Sequence, residues 1–223
     1  MESNIFSGLI AAVFLSLSVL SGWLMLGEWR ATTFFTKADV TTLARGEAPG
    51  PRLSASTDAM VLDGCLEAVS SVDGRVLPSQ PRVQLVTHCL RISEWITSSS
   101  PKDAYGWFSR AYFSLELGKL AAFNEALVQA YETGPNEQWI ADLRVQVAEQ
   151  NLDKLEAAAR RGHKADLSLM VQSPRGAEAI VGRYIRDAGF RGRIAEVVED
   201  LPARQQQVFV STLRAAVRGA TDG

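Results

Sequence analysis

Residues 104–135 read AYGWFSRAYFSLELGKLAAFNEALVQAYETGP, and this stretch carries the clearest structural pattern in the chain. Apolar residues recur with the helical period on both sides of Gly118, which lies where a turn is needed. The spacing predicts two helices, at about 102–117 and 121–133, packed as a hairpin. We expect Trp107 and Leu127 to fill the groove between the two helices.

The same stretch resembles one tetratricopeptide repeat (TPR), a helix–turn–helix unit of about 34 residues. The residues that match the family's positions are Trp107, Ala111, Gly118, Leu127, Ala130 and Pro135. Phe123 and Arg110 depart from it, because the family prefers alanine and leucine there. One unit cannot bury its own apolar face, so the resemblance implies that helices on either side complete a short stack. An ordinary helical hairpin is the alternative.

Helical periodicity continues on both sides of this hairpin, while the alternating pattern of strands is scarce. The predicted fold class is therefore all-α, with a single N-terminal transmembrane helix followed by a TPR-like stack of helical hairpins. The other helices are expected at about 57–70, 82–98, 137–161, 175–187 and 202–218, with shorter pieces near 165–171 and 191–199.

The N-terminus carries the most apolar segment of the chain. Residues 3–27 include no charged side chain, and residues 5–26 would form a helix of about 33 Å, enough to cross a hydrocarbon core of about 30 Å. We predict a transmembrane anchor over 1–28, a connector over 29–56 and a helical domain over 57–223. A cleaved signal peptide and a buried soluble helix are the alternatives. The lack of a basic start and of an A-x-A site argues against the first.

Small residues follow one stripe of the apolar segment, where they would let a second membrane helix approach closely. They are Ser7, Ala11, Ser18 and Gly22. Serine, alanine and glycine are also common in membrane helices generally, and this abundance is the alternative explanation. The stripe is therefore a candidate for helix packing within the membrane.

Two cysteines flank a loop that is expected at residues 71–81. In an antiparallel hairpin, facing residues lie equally far from the centre of the loop, and Cys65 and Cys89 nearly meet this condition. We predict a disulfide between them, which would close a loop of about 25 residues and indicate an oxidising compartment. Two reduced, buried cysteines are the alternative. His88 lacks the ligand spacing of a zinc site, so no metal site is predicted.

The basic residues around the apolar segment conflict with the disulfide over membrane orientation. Arg30, Lys37 and Arg45 follow the segment, and no Lys or Arg precedes it. By the positive-inside rule this distribution favours a cytoplasmic C-terminal domain. The predicted disulfide favours the periplasm instead.

Familiar catalytic and cofactor-binding motifs are missing from the sequence, including GxxxxGK[ST], GxSxG, HExxH and CxxC. Its only histidines are His88 and His163. His163 follows two arginines and is expected at the end of a helix, where a cation suits the helix dipole. The net charge of −2 argues against a basic nucleic-acid-binding domain. We predict no enzymatic activity, no cofactor and no nucleic-acid partner, and no small-molecule ligand is indicated.

Charge is distributed unevenly along the helical domain. Residues 94–156 contain five Lys or Arg and ten Asp or Glu, whereas residues 160–193 contain eight and three. Arginines suit carboxylates and phosphates, so the basic segment is a candidate for binding an acidic partner, anionic lipid or acidic polysaccharide. Alternatively, it packs against acidic residues of the fold such as Glu132 or Glu149. The candidate binding residues are Arg183, Arg186, Arg191 and Arg193, with Tyr105, Arg110 and Tyr112 as a second surface.

The whole layout resembles small membrane-anchored, TPR-like proteins of bacterial envelope and exopolysaccharide systems. That resemblance implies a periplasmic domain at the inner membrane, bound to another inner-membrane or periplasmic protein in polysaccharide synthesis or export. The expected function is that of a non-catalytic, single-pass interaction protein. A cytoplasmic-facing adaptor and an enzyme with an unfamiliar motif are the alternatives.

Overall fold

The computed structural model describes residues 2–37, 40–46 and 54–221. The protein is 86% helical, without a strand in the described residues, which confirms the predicted all-α fold. Apart from one short 3₁₀ helix at Leu152–Lys154, the helices described are α1 Glu2–Lys37, α2 Val40–Ala44, α3 Ala55–Ser70, α4 Val72–Val76, α5 Ser79–Ser99, α6 Ala104–Glu116, α7 Leu120–Thr133, α8 Gln138–Glu149, α9 Ala157–Val171, α10 Pro174–Arg186, α11 Ala188–Glu199 and α12 Ala203–Thr221.

The chain divides into two compact units, Met1–Ile92 and Ser93–Gly223. Helices α1–α4 and most of α5 belong to the first unit, and the end of α5 with α6–α12 belongs to the second. The expected division into an anchor, a connector and one helical domain stays a prediction.

Helix α1 is long enough to combine an apolar span with a packed end. Its stretch Ile10–Thr33 is apolar enough over 24 residues to cross a membrane, and none of its most apolar window is buried inside the protein. The helix then packs on α3, with Ala31 fully buried and an oxygen of Glu28 accepting a hydrogen bond from the N–H of Ser54 at 2.9 Å. One continuous helix therefore contains the apolar span and also contributes packed turns to the first unit.

The segment expected to be a connector is partly helical. Helix α1 extends through its first residues to Lys37, and α2 follows with Leu43 and Ala44 buried. Residues 47–53, the centre of the Gly- and Pro-rich stretch, lie outside the described residues. In its described part, the segment contributes buried side chains to the first unit.

The disulfide predicted from the loop geometry is confirmed. Cys65 on α3 and Cys89 on α5 are bonded, with their Cα atoms 5.6 Å apart. The residues between them are not all loop, because α4 forms within the expected loop of 71–81. Its first turn is capped by the hydroxyl of Ser71, which accepts a hydrogen bond from the N–H of Gly74 at 3.0 Å.

In the second unit, consecutive helices pair and then stack in two layers. Helix α6 packs on α7, α8 on α9 and α10 on α11. One layer runs α6, α8, α10 and α12, and the other runs α7, α9 and α11. Apolar residues of α8–α12 form the core between these layers, with Phe190 and Ile194 of α11 completely buried.

The hairpin of residues 104–135 forms as α6 and α7 and turns at Gly118, whose φ of 69° lies in the left-handed region that favours glycine. Its interior is aromatic, but Trp107 is not the residue that fills it. Phe113 and Phe123 are completely buried, and Leu127 is nearly so. The small residues Ala111 and Ala130 are buried as expected.

Trp107 lies near the N-terminal end of α6 and is half-buried. Its indole Nε1 donates a hydrogen bond to the carbonyl of Pro101 at 2.9 Å. The Arg110 guanidinium lies over its ring, with Cζ 5.0 Å from the ring centre. Phe108 and Phe113 are the buried aromatic residues of the same helix, so Trp107 is not the main residue of the hairpin's interior, and its packing in the groove stays a prediction.

The single helix predicted over residues 137–161 is also wrong, because the chain breaks after Glu149 and α9 begins at Ala157. Buried Asn124 of α7 fixes this break with both ends of its amide. Its Nδ2 donates to the carbonyl of Lys154 at 2.9 Å, and its Oδ1 accepts from the N–H of Glu156 at 2.7 Å. The short piece expected at 165–171 is the second half of α9.

Candidate interaction site

The basic segment predicted from sequence meets the acidic segment at Glu149, the last residue of α8. The Glu149 side chain is fully buried, and both of its oxygens contact Arg193 of α11, with Nε donating to Oε1 at 2.9 Å and Nη2 donating to Oε2. His163 Nε2 lies 2.7 Å from Oε1, and Arg183 Nη1 lies 3.8 Å from Oε2. We call these four residues the Glu149 cluster, and it joins four consecutive helices.

The surroundings of Glu149 favour its charged form. Burial acts to raise the pKa of its carboxyl group, but hydrogen bonds from His163 and Arg193, and the charges of those two side chains, hold the pKa below its usual range. Glu149 is therefore an anion at neutral pH. Of the two acidic partners anticipated for the arginines, Glu149 is the one used, since Glu132 accepts a hydrogen bond from Gln129 instead.

The guanidinium groups of both arginines in the Glu149 cluster lie over the ring of Phe190. Its ring is completely buried, and the Cζ atoms of Arg183 and Arg193 lie 5.8 and 6.0 Å from its centre. A guanidinium within about 6 Å of an aromatic face is attracted by the ring. The arginines keep 28% and 31% of their side-chain surface in solvent, so the cluster opens outward at its cationic end.

The other two predicted arginines have different environments. Arg191 donates from Nη1 to the carbonyls of Tyr184 at 3.1 Å and Ile185 at 2.8 Å, so it caps the C-terminal end of α10. Arg186 is exposed and has no ion pair among the described residues. The structure thus brings Arg183 and Arg193 together, gives Arg191 a capping role and leaves Arg186 in solvent.

The sequence predicted His163 at the end of a helix, and this prediction is wrong. His163 lies in the middle of α9 and is buried. It contacts Glu149 through Nε2, whereas its Nδ1 has no hydrogen-bond partner in the described part of the chain. The basic residues beside it had pointed to a helix terminus, but the helix begins only at Ala157 because of the break fixed by Asn124.

A second charged pair, missed from the sequence, lies deeper. Arg144 on α8 and Asp166 on α9 are each about 2% exposed, with two N–H···O contacts of 2.8 and 2.6 Å. Arg144 also donates to the carbonyls of Ala130 at 2.8 Å and Gly134 at 3.2 Å, at the end of α7. Burial raises the pKa of Asp166, and the hydrogen bond and charge of Arg144 oppose that rise. The only sequence signal was a charged residue on the apolar face of each helix.

The second predicted surface is aromatic and belongs to the layer of α6 and α8. Tyr105 is nearly buried, and its ring lies 5.0 Å from that of Trp139 on α8, which is 53% exposed. Tyr112 is half-buried beside Phe113, 5.8 Å between ring centres. Arg110 lies over Trp107 instead. Tyr105 therefore supports Trp139, an exposed residue that no sequence pattern singles out.

The described small residues of the apolar stretch pack against no other helix of the chain. Ala11, Ser18 and Gly22 are exposed, and no side chain lies within 4 Å of the position a Cβ would take on Gly22. The Ser18 hydroxyl donates to the carbonyl of Phe14 at 2.9 Å, which satisfies it within the helix. The side chain of Ser7 lies outside the described residues. Packing of this stripe against another helix stays a prediction.

Two other sources of functional information are a possible metal site and similarity to known proteins. The described residues contain no group of three His, Cys, Asp or Glu side chains placed to hold a metal ion. No protein-family profile, curated protein or solved structure matches the chain.

Proposed function

We propose that the protein is a non-catalytic adaptor, anchored in the bacterial inner membrane by α1, whose remaining helices lie in the periplasm and bind another envelope protein. The observation that carries this proposal is the continuity of α1. Its unburied apolar span leads without a break into turns that pack on α3. A removable leader would not need to form part of the folded unit, so this continuity supports an uncleaved anchor.

The disulfide supports the periplasmic side of the proposal. Disulfides persist in oxidising compartments such as the periplasm and are rare in the cytosol. Cys65 and Cys89 are both fully buried and bonded. A TPR-like stack is the finer architecture that we propose for the paired helices of the second unit, and a role in polysaccharide synthesis or export rests on the resemblance alone.

A cytoplasmic-facing adaptor is the second candidate, and the basic residues after the span favour it. Arg30, Lys37 and Arg45 all lie on the C-terminal side, where the positive-inside rule places the cytoplasm. Both candidates share the anchor and the binding function and differ only in the compartment.

Reporter fusions distinguish the two candidates. Alkaline phosphatase fused after residue 221 should be active, and green fluorescent protein at the same position should be dark, because each reporter folds in only one compartment. As a matched control, the same fusions to a chain lacking residues 1–28 should show the opposite pattern. A bright fluorescent fusion with an inactive phosphatase would overturn the periplasmic assignment.

Two further measurements test the anchor and the binding function. The intact mass of the membrane-extracted protein should retain the N-terminal segment, whereas a loss of residues before Glu28 would show a cleaved leader. A photo-reactive residue placed at Trp139, exposed in the second unit, should form an adduct with another membrane or periplasmic protein. Failure to form any adduct, there or on α10, would contradict the adaptor function.

A further inference from the structure

Helix α10 presents one long exposed face. Arg175, Ala179, Gly182 and Arg186 lie four, three and four positions apart, so they follow one line along the helix. Three of them are exposed and Gly182 is partly so. The opposite side of α10 carries its buried residues, Gly176, Ala177 and Ile180. We call this line of four residues the α10 face.

The α10 face is basic at both ends and small in the middle. Arg175 and Arg186 make no ion pair or side-chain hydrogen bond in the described part of the chain. At the edge of the face, Arg183 contacts Glu149 only at 3.8 Å. Arg193 donates from Nε and Nη2 to Glu149, and its Nη1 makes no hydrogen bond to the residues that the structure describes. Several guanidinium donors therefore remain available beside a single buried carboxylate.

Helix stability explains only part of this arrangement. Arg183 and Arg186 lie in the last turn, where cations favour the helix dipole, but Arg175 lies in the first turn, where a cation is unfavourable. Gly182 lies well inside the helix, where glycine costs about 1 kcal/mol relative to alanine. The Arg186 guanidinium lies beside it, 3.4 Å from the position of a Cβ at 182, which is an ordinary van der Waals distance. The face has the features of a binding surface in which an arginine lies close to the backbone.

The spacing of the arginines sets the length of a ligand. Arg175 and Arg186 are separated by eleven helical positions, which is about 16 Å along the axis. A single phosphate or carboxylate would reach only one end. Ile185, beside Arg186, is 44% exposed and offers an apolar contact, while Glu178 on the same flank is exposed and would repel a second acidic group there. Two separated arginines, an apolar residue and an acidic residue beside them suit a polypeptide ligand with acidic residues at two places. They suit a uniformly anionic ligand, such as a membrane surface, less well.

We propose that the α10 face binds an acidic segment of the partner protein, with carboxylates about three helical turns apart that pair with Arg175 at one end and with Arg183 and Arg186 at the other. The backbone of that segment passes over Ala179, between Arg175 and the Arg186 guanidinium, which lies beside Gly182. The proposal rests on the adaptor function proposed above and names the chemistry of its partner.

A peptide-binding experiment tests this assignment on the full chain in nanodiscs of uncharged lipid. The probe is a fluorescent helical peptide with glutamates at two sites eleven positions apart, and its reference has glutamines there. Fluorescence anisotropy should show binding of the glutamate peptide only, weakening as salt is raised. The double variant Arg175→Glu, Arg186→Glu should bind at least tenfold more weakly, with an unchanged circular dichroism melt, because both side chains are exposed.

The matched control carries the same change of net charge elsewhere. Lys119 and Arg161 are exposed and lie outside the α10 face, so Lys119→Glu, Arg161→Glu should bind the peptide like the native chain. Equal loss in both double variants would show that net charge alone drives binding and would overturn the site. The same holds if the glutamate and glutamine peptides bind equally, or if neither binds.

Two comparisons separate a protein partner from other anions. Vesicles containing phosphatidylglycerol, or inorganic phosphate, should displace the peptide no better than sodium chloride does at the same ionic strength. Binding to those vesicles that requires Arg175 and Arg186, without peptide binding, would overturn the protein segment in favour of a lipid headgroup. If a photo-reactive residue at Trp139 forms adducts and one at Ala179 forms none, the adaptor function stands and the α10 site fails.

Discussion

The carboxylate of Glu149 on α8 is fully buried and accepts two hydrogen bonds from the guanidinium of Arg193 on α11, 44 positions further along the chain. This contact joins the segment that is acidic overall to the segment that is basic overall. Because Arg193 remains 31% exposed, the same side chain both stabilises the fold and contributes positive charge to the surface beside α10.

Replacement of Glu149 by glutamine should destabilise the second unit by about 2 kcal/mol, somewhat less than the loss of one partner from a fully buried pair. The change leaves Arg183 and Arg193 without a counter-charge. Urea unfolding of the protein in detergent measures the difference. Glu132→Gln is the control, because Glu132 is exposed and should change stability by less than about 0.5 kcal/mol.

The same variant should change the response to acid. The pKa of Glu149 is held below its ordinary value of 4.5, so its contribution is fully present above that pH and is lost as the pH falls through the folded-state pKa. Native protein should therefore lose more stability than Glu149→Gln on acidification below about pH 4.5. Parallel curves for the two proteins would show that the carboxylate is not stabilised by its partners.

The Arg144–Asp166 pair should be costly to break and cheaper to replace as a whole. Arg144→Met leaves Asp166 buried without its partner, so we expect a loss of about 3–5 kcal/mol. The double variant Arg144→Met, Asp166→Leu should recover part of that loss, since apolar residues of similar volume need no counter-charge. A double variant less stable than the single one would contradict this account of the pair.

Local patterns predicted most of the helices, because the apolar spacing that marks a helix is present in each segment by itself. The break between α8 and α9 has a different origin. It depends on hydrogen bonds from Asn124 to residues 30 and 32 positions away, and no local window contains both partners. The Glu149 cluster was anticipated as an encounter of charged segments, but which arginine reaches Glu149 depends on how α10 and α11 pack.

Trp107 shows a limit of reasoning from residue type. Its position matched a large buried aromatic in a known repeat, yet the phenylalanines at 108, 113 and 123 fill that space. The cysteines gave a better outcome, because the symmetry of a hairpin about its loop constrains which positions face each other even when part of the loop is helical. Membrane orientation has no single signal in the sequence, because the basic residues after the span and the cysteine pair favour opposite sides of the membrane.

His88 should make the first unit sensitive to mild acid. Burial, and secondarily the positive charge of Arg91, lower the pKa of its imidazole from the ordinary value of 6.5. In the unfolded chain His88 therefore binds a proton near pH 6.5, whereas in the folded chain it does so only at lower pH. The free energy of unfolding should fall as the pH drops below about 6.5. His88→Gln should remove this dependence, and Arg91→Gln should reduce it, as measured by urea unfolding between pH 8 and about 5. Identical slopes in all three proteins would contradict the burial of a neutral imidazole.

Loss of the disulfide should destabilise the first unit. Cys65→Ser with Cys89→Ser opens a loop of about 25 residues in the unfolded chain, so stability should fall by about 3 kcal/mol. Reduction of the native protein should have a comparable effect, while the double variant should not respond to reductant. Thermal unfolding with and without dithiothreitol measures both, and a native chain indifferent to reductant would show that the bond contributes little.

Trp107 and Phe113 lie on the same helix and should respond differently to truncation. Phe113 is completely buried, so Phe113→Ala should cost about 3–5 kcal/mol by leaving a cavity. Trp107 is half-buried and held by a hydrogen bond to Pro101 and by Arg110, so Trp107→Ala should cost less, about 2–3 kcal/mol from the lost apolar contact and the lost hydrogen bond. Trp107→Phe keeps an aromatic ring for Arg110 but removes the N–H donor and part of the indole, so it should fall between Trp107→Ala and the native protein. Urea unfolding of the three variants gives the order. A cost for Trp107→Ala as large as that for Phe113→Ala would mean that the indole occupies the groove after all, as the repeat pattern first indicated.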